Sequence, residues 1–276
     1  KLRLPIETQI IFTANPEDYT NRGSIVTPLK DRIGSQILTH YPHTREIAKA
    51  ITAQEVKMEE GTAAQIHIPE LARDILEQIG FEARKSDYVD AKSGVSARMS
   101  ITAFENLIST AERRILINGE ESTCLRMSDF LGIITAINGK VELVYEGEQE
   151  GAEQISYHLI SQACKTLFPD YFPEIKKLEK QDEEGPYDKL LGWFFSDNEL
   201  FLEDTLDDGL YRDTLENLPD IKNILDTHQA DCPEEDRHFM MEFLLWGLEA
   251  NKRLNKYRTL EGFQFKDSLG SYISGL

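Results

Sequence analysis

Two short stretches carry side chains that could do chemistry. They are Phe12-Thr13-Ala14-Asn15-Pro16-Glu17-Asp18-Tyr19 and Thr27-Pro28-Leu29-Lys30-Asp31-Arg32-Ile33-Gly34-Ser35. The first ends an apolar run in Asn15, a neutral amide that can both donate and accept hydrogen bonds. The second presents Arg32, whose planar and permanently cationic guanidinium suits carboxylate or phosphate oxygens. A third candidate, Arg98, follows Gly94-Val95-Ser96-Ala97 at the start of a predicted helix. Each has a plainer alternative. Asn15 before Pro16 could end a strand in a turn, Arg32 beside Asp31 could be a weak surface pair, and arginine is common at helix starts. Arg22 is a competing cation in the loop between the two stretches.

Other familiar patterns are missing. The chain has no GxxxxGK[ST] phosphate loop, GxGxxG, HExxH or GxSxG. Six histidines show no metal-ligand spacing on one helix, and His40 and His43, astride Pro42, lack a third ligand. No metal site is expected. Asp197, Glu199, Glu203, Asp204, Asp207 and Asp208 form an acidic cluster without EF-hand spacing. It reads as a solvated face, or as a surface for a cation or basic partner. Arg113 and Arg114 read as a solvated face.

The elements that would hold these residues follow from periodicity. Residues 8–13 are a β-branched apolar run, predicted to be a strand buried on both faces. A polar loop, residues 16–27, leads to a second predicted strand at 35–41, stopped by Pro42. Helices are predicted over 43–58, capped by Thr44 and with Ile47, Ala50, Ile51 and Val56 near helical spacing, and over 68–81, with Pro69 in the first turn and Leu71, Ile75, Leu76 and Ile79 inward. Another spans 100–117, with Ile101, Phe104, Leu107, Ile108, Ala111 and Ile115 inward and Gly119 as its stop. A shorter helix at 125–137 precedes an Asn138-Gly139 turn and a strand at 141–145. Further helical patterns cover 152–167, 187–195 and 234–257. Because a buried strand cannot begin a self-sufficient domain, an upstream half is expected.

The two opening stretches carry a resemblance. An apolar strand ending in Ala-Asn-Pro-Glu, followed after a loop by Leu-x-Asp-Arg-Ile-Gly, resembles the magnesium chelatase ATPase subunit and MoxR-like clade of the AAA+ ATPases. Resemblance implies that Asn15 is sensor 1, orienting the attacking water near the γ-phosphate. It implies that Arg32 is the arginine finger, inserted into a neighbouring subunit's site, and Arg98 the lid's sensor 2, although Ala97 replaces the family's proline. The intact protein would then bind ATP and Mg²⁺, both mainly through an upstream half carrying the phosphate loop, and form a ring, a hexamer, that remodels a protein client. The similarity covers residues 1 to about 138. Its implied fold is mostly α with a small α/β remnant: the C-terminal part of an AAA+ module, then an acidic helical domain.

Composition is compatible with this reading. In 276 residues, 49 acidic against 30 basic side chains give a formal net charge of −19. Residues 1–141 hold 17 basic and 19 acidic groups, 142–236 hold 7 and 26, and 237–276 hold 6 and 4. The step predicts a boundary near residue 140, giving 1–42 as core strands, 43–140 as helical lid and 141–276 as acidic domain. Such a charge repels nucleic acid, and no apolar run is long enough to span a membrane. Cys124, Cys164 and Cys232, odd in number and far apart, fit a reducing cytoplasm. Two rivals stay open. One is a non-catalytic interaction protein with an acidic docking domain, and the other a sigma-54-class activator ATPase.

Overall fold

The computed structural model describes residues 8–13, 27–58, 60–91, 93–175 and 185–267, divided into two units, Lys1–Tyr41 and Pro42–Leu276. In the first unit a single turn of helix, α1 (Thr27–Lys30), is the regular element among the described residues. Neither predicted strand forms there: residues 8–13 and 35–41 are irregular. Ile10, Ile11 and Phe12 are 68%, 82% and 63% exposed, and Ile37 is 91% exposed. The physical reason is pairing. An apolar run becomes a strand only when a neighbour takes its N–H and C=O groups, and no neighbouring strand stands beside either run among the described residues.

The second unit is mainly helical. In chain order it contains α2 (Arg45–Glu55), α3 (Glu60–Gln65), β1 (Ile66–His67), α4 (Glu70–Lys85), α5 (Ala97–Asn118) and β2 (Thr123–Cys124). A 3₁₀ segment, Met127–Ile133, runs into α6 (Ile134–Lys140), followed by α7 (Tyr145–Glu150), α8 (Ala152–Tyr171) and α9 (Asp188–Phe195). Then come β3 (Leu200–Glu203), α10 (Asp208–Glu216), α11 (Ile221–His228), a 3₁₀ turn Glu234–Asp236, α12 (Arg237–Ala250), β4 (Leu254–Arg258) and β5 (Gly262–Asp267). Among the described residues no helix is long and apolar enough to cross a membrane.

Local signals explain the best-defined helices. Thr44 caps α2 by accepting from the Ile47 N–H, and Ser96 caps α5 by accepting from the Arg98 N–H. Gly119 stops α5 at φ 67°, a left-handed conformation that glycine adopts without a Cβ penalty. Leu71, Ile75, Leu76 and Ile79 of α4 are buried, as are Phe104, Leu107, Ile108, Ala111 and Ile115 of α5. α2 is rotated from its expected face. Ala48 and Thr52 are buried while Ile47 is 48% exposed. Asn138 and Gly139 lie inside α6 rather than in a turn. The expected strand at 141–145 reduces to one bridge, Leu143 to Val89, before α7 begins.

α8 is the spine, packed against α4, α6 and α12. α12 is buried on nearly every side, from His238 to Leu248, the pattern of a helix enclosed by its neighbours. The antiparallel sheet, in the order β3-β5-β4, lies beside it. Trp246 of α12 meets Phe263 edge to face at 5.0 Å, and the Lys256 ammonium sits 3.3 Å above the Trp246 ring. The hydrophobic core continues unbroken from α4 and α5 to β5, so the step in charge near residue 140 coincides with no break in packing.

α12 approaches α8 closely at Gly247, where an added Cβ would lie 2.0 Å from Cδ2 of Phe168. Gly247→Ala is therefore expected to lower stability by about 1–3 kcal/mol through overpacking. Gly192→Ala, where a Cβ meets nothing within 4 Å, provides the control. Thermal unfolding of the two variants checks this; equal melting temperatures would refute it.

Candidate functional site

Asn15 and Arg22 lie outside the described residues. Arg32 is exposed in the turn after α1, in the first unit. Arg98 is exposed in the first turn of α5, in the second, and its guanidinium makes no hydrogen bond or ion pair among the described residues. The N-terminus of this 22-residue helix adds the positive end of a helix dipole beside that free cation. The pair Arg113-Arg114 separates: Arg113 faces solvent, whereas Arg114 is buried against Asp129. Helical spacing carries the signal, because residue 114 falls three and seven positions after the buried Ala111 and Leu107.

The acidic cluster is largely occupied inside the molecule. Asp204 takes both terminal nitrogens of Arg258, at 3.0 and 2.7 Å. Asp207 caps α10 by accepting from the Leu210 N–H at 2.9 Å. Glu199 pairs with Lys266 and accepts from Gln264. Asp208 faces Arg126 at 3.2 Å and Arg212 at 2.7 Å. Burial raises the Asp208 carboxyl, but Arg212 and Arg126 together bring it below the usual carboxylate range.

Behind Asp208 lies a buried ionic network that ties α5, the 127–133 segment, α10 and α12 together. The Arg114 guanidinium donates to Asp129 Oδ1 at 2.5 Å, to Thr123 Oγ1 at 3.2 Å and to the Cys124 carbonyl at 2.8 Å. Asp129 also accepts from the Arg126 N–H at 2.8 Å. Burial pushes its carboxyl up, while Arg114 and that N–H pull it back. Arg126, 1% exposed, donates to the Leu206 carbonyl and lies 4.0 Å from the Tyr211 ring centroid. The Tyr211 hydroxyl donates to Glu242 Oε2 at 2.7 Å, and the Met127 N–H reaches the same oxygen at 2.9 Å.

In front of the network is an open cleft of about 440 Å³, lined by His67, Thr123, Cys124, Asp208, Arg212 and Glu235 among others. Its floor is the parallel pair β1–β2, which sets His67 opposite Cys124. His67 Nε2 lies 2.5 Å from Asp236 Oδ1, and Nδ1 lies 3.2 Å from Glu235 Oε2. A cysteine, a histidine and an aspartate in one place suggest nucleophilic catalysis, but the electrostatics oppose it. Burial pushes the Cys124 thiol far up, and Asp236, Asp208 and Asp129 push it further. A nucleophilic cysteine needs an electropositive setting; this one is acidic. Nothing in the local sequence marks the cleft, since its residues come from four separate stretches, at 64–67, 122–124, 208–212 and 235. Among the described residues, no group of three or more His, Cys, Asp or Glu side chains is placed to hold a metal ion.

No protein-family model, curated protein or solved structure matches this chain.

Proposed function

We propose that the chain is the C-terminal part of a chelatase- or MoxR-like AAA+ ATPase that couples ATP binding and hydrolysis to remodelling of a protein partner. Asn15 orients the attacking water, Arg32 reaches in trans into the neighbouring subunit of a ring, and Arg98 bridges lid and nucleotide in cis. The phosphate cradle and Mg²⁺ site come from sequence outside these 276 residues. One observation carries the reading. Arg98 is a cation without a partner among the described residues, exposed at the capped N-terminus of the longest helix described. Helix N-termini and guanidinium groups both favour phosphate oxygens. The rival reading, an acidic docking module, has less to rest on, because Glu199, Asp204 and Asp208 already hold basic partners within the chain.

Arg98→Ala in the full-length gene product tests the reading. Losing a charge-assisted hydrogen bond to phosphate is worth about 1.5–3 kcal/mol, so ATP affinity is expected to fall by about tenfold or more. Thermal stability should be unchanged, since the side chain packs against nothing it would leave unpaired. Isothermal titration with a non-hydrolysable ATP analogue reads the affinity. Equal affinities for variant and wild type would sink the sensor 2 role.

A further inference from the structure

The dipeptide Asn-Gly occurs twice, each time after an isoleucine, as Ile117-Asn118-Gly119 and Ile137-Asn138-Gly139. An asparagine amide is lost most readily in this context, because glycine carries no Cβ to shield its nitrogen. Both pairs close helices: Asn118 is the last residue of α5 and Gly139 the next to last of α6. Each amide also ties its helix to a later segment. Asn118 Nδ2 donates to the Thr205 carbonyl, shortly before α10, at 3.1 Å. Asn138 reaches α8. Ser156 spends its hydroxyl proton on the Ala152 carbonyl at 2.8 Å, so toward Asn138 it is an acceptor, and the Asn138 amide nitrogen turns inward. So placed, that nitrogen lies 3.1 Å from Ser156 Oγ and 3.2 Å from the Ile134 and Ala152 carbonyls.

Helical structure holds the reacting atoms apart. The Gly119 N–H bonds the Ile115 carbonyl, and Gly139 lies within α6, where each N–H is spent on the carbonyl four residues back. To react, the glycine nitrogen must leave that bond, lose its proton and attack the asparagine Cγ. The Cγ–Nδ2 bond then breaks and ammonia leaves with that proton. Water opens the cyclic imide at either carbonyl, giving aspartate or isoaspartate. Either product replaces a donor with a group that only accepts, facing carbonyl oxygens. At 118 it would also stand near Glu120, which already accepts from the Asp208 N–H at 2.6 Å.

We infer that Asn118 and Asn138 are sites of spontaneous deamidation that act as self-releasing pins. Each loses its amide when the last turn of its helix opens, and the loss irreversibly frees α5 from Thr205 and α6 from α8. Helix ends open at small cost in free energy, so the reaction proceeds in the folded protein. The order follows from the contacts. Asn118, with one acceptor among the described residues, converts before Asn138, with three in reach.

Peptide mass spectrometry of the full 276-residue chain, incubated at neutral pH, locates the conversion. In urea the two Ile-Asn-Gly triplets are equivalent and should convert at similar rates. In native buffer both should be slower, and Asn118 should outpace Asn138 by about tenfold, the worth of the hydrogen bonds by which they differ. Gly139→Ala, whose added Cβ meets nothing within 4 Å, should block conversion at 138 and leave that at 118. Asn138→Asp stands for the product. Its Val141 amide, bonded in the wild type to the Ile137 carbonyl at 2.9 Å, should lose about tenfold in hydrogen-exchange protection. The buried α4 amides at Leu76 and Ile79 should keep theirs, which verifies folding. The inference is overturned if both amides survive in native buffer for about a hundredfold longer than urea requires. It also falls if Asn138 converts natively as fast as Asn118, or if Asn138→Asp keeps wild-type protection at Val141.

Discussion

Asp129→Ala is expected to destabilise the protein by about 3–5 kcal/mol, the cost of leaving a buried charge without its partner. Asp129 and Arg114 are each 2% exposed at the side chain, so water cannot take over the lost role. With the carboxylate gone, Arg114 keeps the neutral acceptors Thr123 Oγ1 and the Cys124 carbonyl, neither of which balances a full charge. The Arg126 N–H loses its acceptor as well, which loosens the start of the 127–133 segment. Marginal stability of about 5–15 kcal/mol makes such a loss large. Urea unfolding of the variant checks it, with Asp213→Ala as an exposed control. A shift below about 1 kcal/mol would show that the pair is not holding the fold. The double change of Arg114 and Asp129 to apolar residues should cost less than Asp129→Ala alone, because it leaves no orphan charge.

Arg32→Ala has the larger effect on activity. In the assembled ATPase proposed above, the exposed guanidinium of Arg32 completes a neighbouring subunit's site and neutralises charge as the γ-phosphoryl leaves. Arginine fingers supply about 10³–10⁵ in turnover, so the variant should lose ATP hydrolysis by at least about 10³-fold. Nucleotide binding should stay nearly intact, because the phosphate cradle supplies most of the affinity. Mixing variant with wild-type subunits separates action in trans from action in cis. A trans residue lets an Arg32→Ala subunit hydrolyse ATP when its neighbour is wild type. Turnover unchanged by the substitution would remove the assignment. Arg32→Lys should recover little, since an ammonium lacks the bidentate fork.

The long helices were legible because each level of signal agreed. α5 has a serine cap, an apolar stripe and a terminal glycine, and α4 has a proline at its entry and four large aliphatics on one face. Reading residues 234–257 as one helix failed because the stop carries no glycine or proline. The chain leaves α12 at Asn251 and turns at Lys252, which takes φ 61°, before β4 begins. β5 is buried through Phe263 and Phe265, with Gln264 between them at intermediate exposure. That alternation is short, and nothing in six residues says which partners lie on either side. The run at 8–13 shows the converse: strand composition without a partner is not a strand. The buried arginines were the least visible. Arg114 and Arg126 look like surface residues by type, and only their carboxylate partners, 15 and 82 positions later, justify burying them.

The arrangement of the three-stranded sheet bears on how the chain folds as it is synthesised. β3 lies at the edge and pairs with β5, some 60 residues further on, in the register Leu200 to Phe265. The cations that neutralise Glu199, Asp204 and Asp226 are Lys266, Arg258 and Arg237, all from the final stretch. During translation β3 and these three carboxylates therefore emerge before either the central strand or their own counter-charges exist. The sheet therefore cannot close until residues 254–267 are available to pair with β3.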